Sequence, residues 1–133
     1  MLKEDYIMRL IQLFNESLGK WLSKKKDEDT DLTVSFNNEL VEPYLGENIE
    51  SFESKTSEEL ITQFKQIYTD KQERLSRFEI LAEVLYQRAF LEENSDRGKS
   101  LLSKSLEILL YINSIDRTYS IARESRIKEL RLF

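Results

Sequence analysis

Residues Arg74–Ile112 read RLSRFEILAEVLYQRAFLEENSDRGKSLLSKSLEILLYI, and this stretch decides the fold. Two helical runs flank a polar break from Glu92 to Lys99. The first run sets Leu75, Phe78, Ala82, Leu85 and Ala89 on one face. The second sets Leu102, Leu106 and Leu109 on one face, widened by Leu101, Ile108 and Ile112. Steps of three and four residues are the period of an amphipathic helix. A break this short makes the two helices antiparallel neighbours, an αα-hairpin.

The segments on either side of the hairpin carry helix signals of their own. Asp70 can cap the hairpin's first helix. Before it, Thr56 and Glu59 match a capping box. That predicts a helix to about Tyr68 that buries Leu60, Ile61, Phe64 and Ile67. After Ile112 the polar run NSIDR predicts a turn. Thr118 or Ser120 then caps a last helix carrying Ile121, Ile127 and Leu130, with Leu132 and Phe133 beyond. Arg117, Arg123, Arg126, Lys128 and Arg131 make this end basic, offset by Glu124 and Glu129. A solvated face with favourable dipole charges is the expected role, ahead of an anion site.

Thr33–Gly46, TVSFNNELVEPYLG, is harder to read. Phe36, Leu40, Tyr44 and Leu45 suit a helix closed by Gly46. Pro43 lacks a donor and crowds the carbonyl four residues back. The expectation is a short or kinked helix from Val34 to Leu45, with a strand over Leu32–Phe36 as the alternative. Glu47–Lys55 reads as an acidic loop, and Lys26–Leu32 as a polar linker. Asp27, Asp29 and Asp31 open with the spacing of a calcium loop. Leu32 stands where that loop needs Gly and Asn38 where it needs Glu, so a solvated charge run is expected.

The first helix starts at Glu4 or Asp5 and runs to about Lys24. Ile7, Ile11, Phe14, Leu18 and Trp21 follow heptad spacing along it, widened by Leu10 and Leu22. Three uses fit this stripe. It can pack into the domain's own core, which comes first. It can be a seam for self-association or for a partner. It can also lie on a membrane surface, given Trp21 and the lysines at 24, 25 and 26. If the stripe is not core, Ile7, Ile11, Phe14, Leu18 and Trp21 are the candidate partner or self-association surface.

Composition sets the limits. A chain of 133 residues argues for a single domain over 1–133. Its expected parts are a helix at 1–26, an acidic linker with a short helix at 27–55, and a hairpin array at 56–133. With 3 Gly and 1 Pro, long helices are favoured over a turn-rich sheet. The fold class is therefore all-α, antiparallel helical hairpins or a helical bundle, with about five to six helices. Cysteine and histidine are both absent. Disulfides, thiolate metal sites and every Ser-His-Asp scheme are thereby excluded. No run of about 18 apolar residues exists and no signal-type leader is read, so a cytoplasmic protein is expected. The net charge of −5 is unevenly spread. Residues 1–26 carry 6 basic and 3 acidic side chains, residues 27–62 carry 1 and 11, and residues 63–133 carry 13 and 11. The acidic middle argues against wrapping nucleic acid.

The hairpin resembles a tetratricopeptide (TPR) unit. Phe78, Leu81 and Ala82 are similar to the first-helix pattern, and Gly98, Leu102, Ser105 and Leu106 to the second. Small residues at these places let the helices approach closely. The chain departs in a gap about four residues longer than the family's, and in lacking its closing proline near Leu110. Asp5-Tyr6-Ile7-Met8-Arg9 and Lys104-Ser105-Leu106-Glu107 are also similar to a family of small bacterial all-helical proteins. That resemblance implies a bacterial, TPR-like protein and brings no catalytic residue with it.

Function is read from what chemistry the residues permit. A non-catalytic module for protein interaction or self-assembly comes first, with an unknown protein or a second copy as partner. Binding of anionic membranes or nucleic acid through the basic ends is a second reading. A carboxylate metal enzyme is a third, resting on Glu79 and Glu83 one turn apart, but the Glu-x-x-His pair of helical metal sites cannot be met without His. No catalytic residue, cofactor or metal is expected.

Overall fold

The computed structural model describes residues 3–25 and 32–133. The acidic triplet Asp27, Asp29 and Asp31 lies outside the described residues. Seven helices, and no strand among the described residues, make the fold all-α. Helix α1 spans Lys3–Lys24, beginning just ahead of the expected Glu4 or Asp5. Helix α2 is continuous but changes pitch: α-helical at Leu32–Phe36, π-helical at Asn37–Val41 and α-helical again at Glu42–Leu45. Helices α3 (Ile49–Glu53), α4 (Ser57–Ile67), α5 (Lys71–Ala89), α6 (Ser95–Ile115) and α7 (Ile121–Leu130) follow.

The helix starts are written in capping side chains. Thr56 and Glu59 form the reciprocal capping box of α4. Asp70 accepts the Glu73 amide at 2.9 Å, and Ser120 accepts the Arg123 amide at 3.2 Å. Asn94 accepts two amides, those of Asp96 and Arg97, and so starts α6 at Ser95. The polar break of the hairpin is thus shorter than Glu92–Lys99.

Helix α5 is the centre. It buries Leu75, Phe78, Ile80, Leu81, Val84 and Leu85 among others, on more than one face. It packs against α6 along its length and touches α1, α2, α3 and α4. The α5–α6 approach is set by small residues. Ser105, fully buried, donates to the Ala82 carbonyl at 2.7 Å. A Cβ at Gly98 would stand 3.4 Å from the Ala89 carbonyl oxygen. A row of rings fills the other side: Phe64 stacks on Phe78 at 5.2 Å, with Phe52 and Tyr111 edge-on at the ends.

The kink expected near Pro43 is a π segment. The Glu42 amide reaches back five residues to the Asn37 carbonyl, and Pro43 sits in the first turn of the α-helix that resumes. Helical backbone over Leu32–Phe36 replaces the strand alternative. Gly46 closes α2 at φ 79°, where a side chain would be strained. The expected loop Glu47–Lys55 holds α3, because Ile49 and Phe52 enter the core.

Two side chains expected inside lie outside. Ile67 is 56% exposed at the end of α4, and Ile121 is 74% exposed at the start of α7. The buried stripe of α7 is Arg123, Ile127 and Leu130. Ile121 stands about 200° round the helix from Arg123, and so faces water. Among the described residues, no helix is long and apolar enough to cross a membrane.

Candidate functional site

The heptad seam of α1 faces the chain's own core. Ile7, Phe14 and Trp21 are buried, and Ile11 and Leu18 are half-buried against the same cluster. Helices α2 and α5 both pack on it. Trp21 meets Phe36 edge-on at 5.3 Å and donates its indole N–H to Ser35 Oγ at 3.1 Å. Phe14 meets Tyr44 edge-on at 5.3 Å. The five residues named as a candidate partner surface are therefore not a free surface in this structure. Helix α2, harder to read from sequence, supplies the missing cover.

The seam leaves one opening. A cleft of about 190 Å³ runs between α1 and α7, over α5 and α6. Ile11 and Phe14 line it from α1, Ile80 from α5, Leu109 from α6, and Ala122 and Arg126 from α7. Ile80 and Phe14 are almost fully buried, so the floor is apolar.

Charge is concentrated where α5 meets α7. Arg123 Nη1 binds Glu79 Oε1 at 2.7 Å, and Arg126 Nη2 binds both oxygens of Glu83 at 2.9 and 3.2 Å. One turn further, the Tyr86 hydroxyl donates to Glu129. The Arg126 guanidinium lies over the Tyr86 ring, 3.6 Å from its centre. The three rungs advance in the same direction on both helices, so α5 and α7 run parallel. Arg123 also closes the α6–α7 turn, reaching Asn113 Oδ1 at 2.6 Å and the Thr118 carbonyl at 2.9 Å.

Burial pushes the Glu79 and Glu83 carboxyls above the usual glutamate range, although each arginine pulls the other way. Desolvation is the larger effect at both. Tyr86 is pushed up as well, first by burial and then by its bond to Glu129.

The carboxylate pair one turn apart is thus real, but each member is turned to an arginine. Among the described residues no group of three or more acidic side chains is arranged to hold a metal ion. From sequence the arginines belong to a solvated basic end, whereas the structure pairs them with these glutamates. The sequence signal was present in the matched spacings, 79/83/86 on one helix and 123/126/129 on another. Comparison with protein-family models, curated proteins and solved structures returns no match.

Proposed function

We propose that this chain is a non-catalytic interaction module that takes one apolar side chain of a partner protein into the α1–α7 cleft. The observation that carries the reading is the size and lining of that cleft. Sites for small molecules and cofactors enclose about 300–1,000 Å³. At about 190 Å³ this cleft holds a single leucine- or phenylalanine-sized group. Its floor is apolar, and the charges on its wall are already paired with each other. Such a site favours a neutral side chain and fits the anchor-in-pocket pattern of protein interfaces.

The TPR-like reading of the hairpin belongs to this proposal. The Ala82–Ser105 and Ala89–Gly98 approaches support it, as does a third helix running parallel to the first. A cytoplasmic setting is part of the proposal too, supported by the lack of cysteine.

The test is selection of peptides from a random library against the full chain, repeated with Ala122→Trp, which fills the cleft from its rim. Enriched peptides should share one large apolar residue and should not bind the variant. Enrichment of nothing, or of peptides that bind both proteins equally, overturns the reading.

A further inference from the structure

We infer that a second surface, the aromatic row at the C-terminal end of α7, docks the acidic middle of a second copy of this chain. This surface is separate from the α1–α7 cleft and stands or falls without it. Tyr86 meets Phe90 edge-on at 4.9 Å, and Phe90 meets Phe133 edge-on at 6.1 Å. Phe90 is 48% exposed, Phe133 64% and the adjoining Leu132 88%. Scattered apolar residues on a surface need no explanation, but rings in mutual contact make a patch. Arg131 precedes Leu132 in the chain and Lys128 stands three residues earlier on α7, both exposed and in no ion pair among the described residues.

The complement is carried by the same chain. Residues 32–62 hold 7 acidic and 1 basic side chain. Glu42, Glu47, Glu50 and Glu58 are exposed there, and none is ion-paired among the described residues. Unpaired cations and exposed carboxylates, of which Glu47 and Glu50 accept only neutral amide donors from Gln63 and Asn37, therefore remain within one molecule. A second copy satisfies both. An anionic membrane would meet the cations but would be repelled by the acidic face and by the net charge of −5. Two different patches can meet reciprocally in a two-fold pair or head-to-tail in a longer array, and either arrangement joins the cations of one copy to the carboxylates of another.

The experiment is light scattering of the full chain across concentration into the millimolar range, at low and high salt. The weight-average mass should climb past the monomer by about twofold or more at low salt and return to the monomer at high salt. Lys128→Glu with Arg131→Glu should stay monomeric, and so should Glu47→Lys with Glu58→Lys. Mixing the two double variants should restore association, since each reversed patch then meets its complement. Leu132→Ser with Phe133→Ser controls for the apolar part and should also stay monomeric. A monomer at every concentration and salt overturns the inference. So does association that survives Lys128→Glu with Arg131→Glu, or binding to acidic vesicles by a chain that stays monomeric.

Discussion

Arg123 is the residue on which the C-terminal helix turns. It occupies the position of α7 where an apolar side chain would be expected, and its side chain is only 4% exposed. Its guanidinium is met by Glu79, Asn113, the Thr118 carbonyl and, at 3.6 Å, Asp116. Because so many acceptors surround it, one of them can be neutralised without stranding the charge. Arg126 has solvent and the Tyr86 ring in addition to Glu83. The sign of the pH effect follows. Glu79 and Glu83 have raised values in the folded chain, so between those values and the ordinary 4.5 the folded state binds more protons than the unfolded one. Stability contributed by these two groups is therefore fully present below that window and is lost as pH rises through it. Replacing both, Glu79→Gln with Glu83→Gln, keeps the shape and removes the titration. Because the other acceptors still meet Arg123, and solvent and the Tyr86 ring meet Arg126, the variant should be as stable as the parent at neutral pH or more stable. The parent should gain on it as the buffer is acidified toward the ordinary carboxylate range. Urea titrations at a series of pH values, read from the single Trp21, would show this. A variant that is weaker by several kcal/mol at pH 7 and recovers ground on acidification would mean that the arginine attraction exceeds the desolvation.

At the scale of the element, the π segment of α2 shows why a local sequence can be read only in part. Its wider turn places Asn37 so that its side chain is buried and its Oδ1 accepts the Ile49 amide at 2.8 Å. That amide is the first of α3, and it has no partner within its own helix. Asn37→Leu, close in size but without an acceptor, should leave the amide orphaned and cost about 1–3 kcal/mol. Asn37→Asp keeps the acceptor and should cost less. If thermal melts show the two substitutions to be equal, the bond contributes nothing. Pro43 was enough to predict a kink, but nothing near Asn37 announces a partner 12 residues away. The same limit explains the rest. Thr56, Asp70 and Ser120 act on amides three residues ahead, so the starts of α4, α5 and α7 were legible. The α5–α6 hairpin was legible because its apolar period and its small residues are local. Helix α3 was not, since its two core residues sit in an acidic run. Glu79 and Glu83 were legible as a pair. Their arginines were not, because no residue states that α7 lies beside α5.

For the whole molecule the decisive question was whether α1 belongs to the core, and its burial permits a quantitative expectation. Leu10, Phe14 and Trp21 are each at most 2% exposed, and all three pack into the one continuous core cluster. Burying a large apolar side chain contributes about 1.5–3 kcal/mol. Three of them therefore contribute at least about 5 kcal/mol, which matches the lower end of the total stability of a domain. Removal of residues 1–25 also uncovers Phe36 on α2 and Ile80 on α5, both nearly fully buried. The shortened chain is expected to lose its cooperative melt and to aggregate, whereas an assembly helix would come away and leave a folded monomer. Circular dichroism and light scattering of the shortened chain distinguish the two outcomes, since the only tryptophan is lost with the deletion. A folded, cooperatively melting monomer would return the seam of α1 to the surface and remove one wall of the α1–α7 cleft from the argument. An unfolded or aggregated product would fix α1 as core, so that any contact with a partner must be made by its outer face, by the cleft or by α7.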